Sequence, residues 1–279
     1  MTEKISKWVK FKRFLKRNMT LTWAKHFSYQ VFAFIVSVLM VMGVALYAVT
    51  KSYDERTLRF RDDFTITAHT GAFETDEDSL ESVEAAINHN VDIIEMDIRQ
   101  RPDGTLIIDH EIAITNNDGV PLEDALELLK GDDCLINLDI KEGRTLDKLY
   151  DMLVEYDLLD RSFLTGIDVL NIRMVKDSKC KDMDYYYNCQ PSRIQIFSAD
   201  YQQRLVKTVK DAGAVGVNCN YKYASGTLSD LLHDNDLKFS VWTVNNELTM
   251  KRALTILPDN ITTKEYDLLI DIIENWGND

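Results

Sequence analysis

The chain has 279 residues, 45% of them hydrophobic, which is enough for one large core and a smaller appended segment. It carries 46 acidic and 32 basic side chains, a net charge of −14 at pH 7. Beyond residue 51 the balance is 45 acids against 23 bases, and such an acidic domain argues against nucleic-acid binding. Four cysteines are too few for a disulfide scaffold, although the sequence leaves open a single disulfide between Cys180 and Cys189.

The first predicted element is a transmembrane helix at residues 27–50. Residues 27–49 contain no charged side chain, and the apolar run at 31–47 is long enough to cross roughly 30 Å of hydrocarbon. A cleaved signal peptide is the alternative, but its apolar core usually spans only about 7–15 residues, and Ala45 and Ala48 do not form a clean cleavage site. We therefore predict a single uncleaved membrane anchor.

The flanks of this helix predict its orientation. Residues 1–26 hold eight basic side chains and one acid, so the N-terminus is expected to be cytoplasmic and the rest extracytoplasmic, at the cell membrane. The basic stretch with Trp8, Phe11 and Phe14 either lies on the anionic inner leaflet as an amphipathic helix or acts only as a topology signal. Residues 51–63 are charged and predict a short stalk, which leaves residues 64–279 for the folded domain.

Strand-like and helix-like runs alternate from residue 64 onward, which is typical of a parallel sheet wrapped by helices. Helices are predicted at residues 75–90, 121–130 and 146–156. Strands are predicted at residues 64–68, 91–98, 105–108, 134–140, 162–165, 183–187, 214–219, 239–244 and 260–262. We predict an α/β fold, a TIM-type (β/α)8 barrel. Nine candidates exceed its eight strands, so at least one lies outside the barrel, and the sequence does not say which.

Imidazoles and carboxylates follow three of these strands. His69, Glu95, Asp97 and His110 each lie at or just past the end of a run rich in Ile, Val and Thr, where barrel enzymes place their catalytic groups. Glu95 and Asp97 point to the same side because side chains alternate along a strand. Two acids on an interior face are costly unless something neutralises them, which favours a bound cation.

At this point residues 64–269 resemble the glycerophosphodiester phosphodiesterase family. The family's opening His-Arg-Gly is matched by His69-Thr70-Gly71, and its Glu-Leu-Asp by Glu95-Met96-Asp97. Further matches are Glu77-Asp78-Ser79-Leu80, the turn Asp103-Gly104, the second histidine His110, Asp139-Ile140-Lys141 for Glu-x-Lys, Trp242-Thr243-Val244-Asn245, and a degraded last strand, Ile261-Thr262-Thr263.

The resemblance implies a metal-dependent phosphodiesterase that acts on a small-molecule or lipid-derived phosphodiester. Glu95, Asp97 and Asp139 would hold Ca²⁺ or Mg²⁺, both of which prefer oxygen ligands. His69 and His110 would act as acid and base, in an order that the sequence does not assign. The substrate-binding residues would be Lys141, which would face the phosphate, Trp242 and Thr70. A neighbouring glycerol hydroxyl would attack first and give a cyclic phosphate, which water then opens.

Thr70 is the main departure, because the family has an arginine there. A threonine hydroxyl offers neither the charge nor the bidentate geometry of a guanidinium. Lys141, Arg99 or Arg101 are candidates to replace that charge, and Glu142 is an alternative to Asp139 as a ligand. Two other functions therefore stay open: a catalytically impaired barrel that acts as a tethered binding module, and a phospholipase-type enzyme that releases a cyclic phosphate.

Overall fold

The computed structural model describes residues 8–9, 12, 20–189, 191–192 and 195–278. The chain divides into two compact units, Met1–Ser52 and Tyr53–Asp279. Helix α1, Leu21–Asp54, has no buried residue and is long and apolar enough to be a candidate membrane span. A signal sequence can have the same length and composition. It is longer than the predicted 27–50 segment and includes the start of the predicted stalk. The predicted amphipathic helix falls mostly outside the described residues, since of its three aromatic residues only Trp8 is described.

Ten strands follow in the second unit. They are β1 (Thr65–Ala68), β2 (Ile93–Gln100), β3 (Leu106–Ile108), β4 (Val120–Pro121), β5 (Leu135–Ile140), β6 (Ser162–Ile167), β7 (Tyr185–Cys189), β8 (Gly216–Asn220), β9 (Lys238–Trp242) and β10 (Asn260–Thr263). Eight of them are parallel and close into a barrel in the order β1, β2, β5, β6, β7, β8, β9, β10. The predicted TIM-type barrel is therefore confirmed.

The additional strand is β3. It pairs antiparallel with β2, and β4 pairs antiparallel with β3, so both extend the sheet outside the barrel. The reason is the short connection between β2 and β3, because a parallel return needs a crossover of a dozen or more residues. His110, which follows β3, is thus carried by this antiparallel extension, whereas His69 follows a barrel strand.

Helices cover the outside of the barrel. They are α2 (Leu80–Asn88), α3 (Leu122–Leu129), α4 (Leu146–Glu155), α5 (Ile172–Lys176), α6 (Ala199–Ala212), α7 (Gly226–His233), α8 (Glu247–Leu254) and α9 (Tyr266–Glu274). The helix predicted at residues 75–90 begins five residues late. Ser79 caps it by accepting a hydrogen bond from the Ser82 N–H, and Asp78 before it has a left-handed φ of 54°, so the acids at 76–78 precede the helix.

The barrel interior is polar. Asn260 Nδ2 donates to Thr67 Oγ1 at 2.8 Å, and Ser240 Oγ donates to Asn260 Oδ1 at 3.1 Å, so the side chains of three neighbouring strands are linked inside the barrel. On β2, Ile94, Met96 and Ile98 are fully buried members of the hydrophobic core, in alternation with the acids. The sheet thus packs apolar side chains against the helices and polar ones inward.

Strand β6 contains a bulge near its carboxyl end. The pairing of β6 with β7 shifts register between Leu164 and Ile167, and Gly166 lies there with φ 74°. A Cβ at this position would lie 2.5 Å from the Ile140 carbonyl oxygen. Only glycine fits both the backbone angle and the space.

Gly166→Ala should therefore destabilise the barrel by about 1–3 kcal/mol from backbone strain and by more from the overlap. Gly213→Ala is the matched control, because Gly213 also has a positive φ (82°) but has open space around its Cα. Urea unfolding of the full chain measures both. Equal losses of unfolding free energy in the two variants would contradict the importance of the contact with Ile140.

Candidate active site

A cavity of about 1200 Å³ opens at the carboxyl ends of the barrel strands. Eight of its lining residues come from five barrel strands and the loops after β1 and β3: His69, Glu95, Asp97, His110, Asp139, Asn188, Asn218 and Trp242. This is the face at which TIM barrels carry their active sites. The two predicted histidines and three predicted acids therefore share one cavity.

The acids form one cluster. Ligand oxygens of Glu95, Asp97 and Asp139 all lie within 4.8 Å of one another. Strand register produces this arrangement, since Asp97 on β2 pairs directly with Asp139 on β5. Glu95 and Asp97 are 6% and 1% exposed, so solvent screens them poorly. Glu142, the alternative ligand, pairs instead with Arg99 and Arg144.

Burial changes the protonation of this cluster. Burial, with the nearby Asp139 carboxylate, raises the pKa of Glu95 to about 7, and burial with Glu95 raises the pKa of Asp97 to about 8. The Lys141 ammonium lies 2.5 Å from Asp139 Oδ2 and 3.0 Å from Asp97 Oδ1. Although burial opposes it, these two carboxylates raise the pKa of Lys141, which stays charged.

One ammonium does not neutralise three carboxylates. The Asp97 carboxylate is buried, and its cationic partner among the described residues is the Lys141 ammonium, 3.0 Å from Oδ1. Three clustered carboxylates that share one ammonium are costly, and a hard divalent cation is the ligand that such a donor set suits. Glu95, Asp97 and Asp139 thus fit a Ca²⁺ or Mg²⁺ ion, while Lys141 supplies a separate positive charge on the same face.

The two histidines differ in their surroundings. His69 is mostly enclosed, with Nδ1 2.9 Å from the Thr70 carbonyl oxygen and 3.8 Å from Glu95 Oε2. His110 is 62% exposed, and its ring nitrogen Nδ1 lies 3.3 Å from Glu111 Oε1. Both line the cavity together with Glu77, which pairs with Lys264. The cavity thus has one imidazole beside the acid cluster and another at its rim.

Thr70 is buried and does not line the cavity. Its hydroxyl accepts a hydrogen bond from the Asp78 N–H at 2.6 Å, and the Asp78 carboxylate accepts one from the His110 N–H at 2.9 Å. Its own N–H donates to Glu95 Oε2. Thr70 therefore links the segments that carry the two histidines, and its predicted contact with substrate stays a prediction.

The two arginines considered as replacements support the loop after β3. Arg99 Nε donates to the His110 carbonyl oxygen at 2.9 Å, and Arg101 donates to the carbonyl oxygens of Asp118 and Gly119. Among described residues, the cavity-lining Lys and Arg side chains are Lys141 and Arg204. Lys141 is thus the cation next to the acid cluster.

Several cavity residues escaped the sequence reasoning. They are Asn137, Thr165, Asn188, Asn218 and Thr262. Thr165 Oγ1 lies 2.8 Å from both Asn137 Oδ1 and Asp139 Oδ1, so it orients the cluster from the neighbouring strand. Alternation with Asp139 on β5 would have indicated Asn137, but the amides on β7 and β8 carry no motif.

Trp242 lines the cavity, and its buried Nε1–H has no partner among described residues. Its contact with substrate stays a prediction. The cysteines do not bridge: all four are free, and Cys180 Sγ donates to the Leu146 carbonyl oxygen instead of bonding to Cys189.

Comparison with known proteins agrees with this geometry. No family model matches the sequence. A glycerophosphodiester phosphodiesterase from Caldanaerobacter subterraneus subsp. tengcongensis is 22% identical over 252 residues, covering 76% of this chain and 98% of that protein. The chain has the glycerophosphodiester phosphodiesterase fold.

Solved structures support the same fold. A glycerophosphodiester phosphodiesterase from Parabacteroides distasonis superposes with a TM-score of 0.62 at 18% identity, over 77% of this chain and 98% of that one. The glycerophosphodiester phosphodiesterase from Thermotoga maritima superposes with a TM-score of 0.59 at 16% identity, over 76% of this chain and 99% of that one. An Oleispira antarctica phosphodiesterase, solved with its product sn-glycerol-3-phosphate, superposes with a TM-score of 0.61 at 16% identity. The match covers 78% of this chain and 97% of that one.

The raised pKa values of Glu95 and Asp97 predict a pH-dependent stability. The folded metal-free chain keeps protons on these acids that the unfolded chain releases near pH 4–5, so the free energy of unfolding falls as pH rises from about 5 to 8. We expect the melting temperature in EDTA to be about 3–10 °C lower at pH 8 than at pH 5.5. Mg²⁺ or Ca²⁺ should restore it at pH 8.

The double variant Glu95→Gln/Asp97→Asn should lose both the pH effect and the rescue by metal. Glu127→Gln, at an exposed position, is the matched control and should keep both. Metal rescue that persists in the double variant would contradict a cation site at this cluster.

Proposed function

We propose that the chain is a membrane-anchored, metal-dependent phosphodiesterase that hydrolyses glycerophosphodiesters to glycerol 3-phosphate and an alcohol. The observation that carries this proposal is the placement of three carboxylates, Lys141 and two histidines in one cavity of this fold. The product complex of the Oleispira relative supports glycerol 3-phosphate as the product class.

Electrostatics supports a role for the metal. With its carboxylates ionised, the cluster has three negative charges against the single charge of Lys141, so alone it repels a phosphodiester anion. A divalent ion held by Glu95, Asp97 and Asp139 would polarise the phosphoryl oxygens and stabilise the charge that develops on them. Lys141 lies beside the same acids and contributes a further positive charge toward the phosphate.

The histidines supply the proton transfers. One imidazole takes the proton of the glycerol hydroxyl next to the phosphate as that oxygen attacks phosphorus. The other gives a proton to the departing alkoxide when the bond between phosphorus and the alcohol oxygen breaks. A cyclic phosphate results, and water opens it with the proton transfers reversed. Thr70 and Asp78 hold the backbone of His110 in place for this exchange.

Single substitutions test this assignment. In the full chain, in nanodiscs with Mg²⁺ or Ca²⁺, His69→Ala and His110→Ala should each slow the release of glycerol 3-phosphate from glycerophosphocholine by about 10²–10⁴-fold. Glu95→Gln should abolish the response to metal. His89→Ala is the control, because His89 follows the outer helix α2 as its C-cap residue and does not line the cavity.

The results separate three functions. Loss of turnover in these variants but not in His89→Ala supports the phosphodiesterase. A cyclic phosphate that accumulates in the ³¹P NMR spectrum indicates the phospholipase-type alternative. A chain that binds metal but turns nothing over indicates a binding module, for which the buried, already hydrogen-bonded Thr70 is the supporting observation.

We also propose that α1 anchors the barrel outside the cytoplasm. The helix is apolar over its central part, and the seven basic residues before it, with Lys25 near its start, favour a cytoplasmic N-terminus. In bacterial cells the full chain should resist extraction at alkaline pH, and the barrel should be cleaved by protease added to spheroplasts. The variant Val38→Lys/Val41→Lys should lose this anchoring, since a lysine at the centre of a span costs about 2.5–3.5 kcal/mol. A protected barrel would contradict the orientation.

A further inference from the structure

The cavity continues from the acid cluster into a largely apolar region. We call this region the apolar arm and define it by Val169, Leu170, Met174, Tyr187, Tyr201 and Leu205, which line the same cavity as the two histidines. The arm comes from the loop after β6, from α5 and α6, and from the end of β7. The proposed reaction, which involves the phosphate, the neighbouring glycerol hydroxyl and the departing alcohol oxygen, does not use it.

The arm exposes hydrophobic side chains to solvent. Leu170 is 83% exposed, Val169 68% and Met174 44%. Hydrophobic residues scattered singly over a surface are ordinary, but a contiguous group at the mouth of a ligand cavity is typical of a binding site.

Hydrogen bonds fix the backbone of the loop that carries Val169 and Leu170. The Leu170 N–H donates to Asp168 Oδ1 at 2.8 Å, and the Asp168 N–H donates to Asn171 Oδ1 at 2.6 Å. Asn171 Nδ2 in turn donates to the Gly166 carbonyl oxygen at 2.9 Å, which ties the loop to the bulge in β6. The exposure of Val169 and Leu170 is therefore built into the loop.

Met174 forms the far side of the arm. A Cβ at Gly143 would lie 2.4 Å from Met174 Sδ, so the thioether rests directly on bare backbone. A second groove of about 420 Å³ begins there and shares Gly143, Leu170 and Met174 with the cavity. Apart from Leu146, the other residues that line this groove are charged or polar, namely Arg144, Asp147, Arg173, Asp177 and Ser178, so the apolar surface ends at Leu170 and Met174.

Charged groups near the arm are already engaged. Asp168 accepts the Leu170 N–H, and Arg204 pairs with Asp200 on its own helix. The arm thus offers apolar contact with little demand for a polar partner, whereas the other end of the cavity is crowded with ionised groups. A cavity of about 1200 Å³ also exceeds the needs of a glycerol phosphate group.

We infer that the apolar arm binds an aliphatic chain of the phosphodiester, so that the substrates are single-chain, lipid-derived phosphodiesters. This inference rests on the proposed function, since it takes the acid cluster as the phosphate end. The continuity of the arm with that cluster favours a chain of the bound substrate over a membrane surface. The acidity of the barrel domain, with 45 acids against 23 bases, also disfavours docking on an anionic bilayer.

The test measures the effect of chain length on binding and turnover by the full chain in nanodiscs, with empty nanodiscs subtracted. Titration calorimetry measures the dissociation constants of n-alkylphosphonates from ethyl to octyl, each used below its critical micelle concentration. Complete burial of one methylene group raises the affinity about fourfold. We therefore expect octylphosphonate to bind at least about tenfold more tightly than butylphosphonate. Leu170→Ser and Met174→Ser should flatten this dependence. Val154→Ser, an exposed valine on α4 outside the cavity, should keep it.

Turnover measurements show which part of the substrate carries the aliphatic chain that enters the apolar arm. One substrate series carries acyl chains of two to eight carbons on the glycerol of glycerophosphocholine, and the other carries alkyl chains of the same lengths as the departing alcohol. Growth of kcat/KM with length in either series supports the arm and identifies which side enters it. Alkylphosphonate affinity independent of length overturns the inference, even where glycerophosphocholine is hydrolysed and the proposed function holds. Length-dependent binding without any turnover supports the arm and overturns the proposed function instead.

Discussion

Three carboxylates around one ammonium, at the carboxyl ends of β2 and β5, are the arrangement on which the rest of the site depends. Their proximity follows from strand pairing, because Asp97 and Asp139 occupy the same register position on neighbouring strands. A slip of one residue would turn these side chains into the helix layer and replace them with apolar neighbours such as Ile94, Met96 and Leu138. Barrel closure and site chemistry are therefore set by the same hydrogen-bonded ladder. The polar interior beneath, tied by Asn260 to Thr67, prepares an environment in which such charges are tolerated.

The histidines reach the cluster by different routes. His69 follows a barrel strand and inherits its rigidity, whereas His110 stands on an antiparallel extension outside the barrel. The extension is held from two sides, by Arg99 through the His110 carbonyl oxygen and by Asp78 through its N–H. Thr70 completes the connection. The residue that departs most from the family's pattern thus has a structural role that couples the two sides of the cavity.

Much of this architecture could be predicted from the chain. Strand positions and the eight-stranded barrel followed from periodicity, and the acid cluster from alternation on β2 with Asp139 added by resemblance. The identity of the extra strand was not predictable from composition, since β3 is as apolar as its neighbours. Other features depend on hydrogen bonds and backbone angles that the sequence does not reveal. The start of α2 at Leu80, for example, depends on the Ser79 cap and on the left-handed backbone of Asp78. The engagement of Lys141, and the roles of Arg99 and Arg101, depend on partners distant in sequence and leave no local pattern.

The buried cysteines have a consequence for chemical durability. Burial raises the pKa of Cys134 to about 12 and that of Cys180 to about 11, and the neighbouring Cys219 together with burial raises the pKa of Cys189. Thiolate is the form that attacks disulfides and reacts with oxidants, and at neutral pH these three side chains hold almost none of it. In the extracytoplasmic location proposed for the barrel, this low thiolate content slows the reaction of Cys134, Cys180 and Cys189 with oxidants and disulfides.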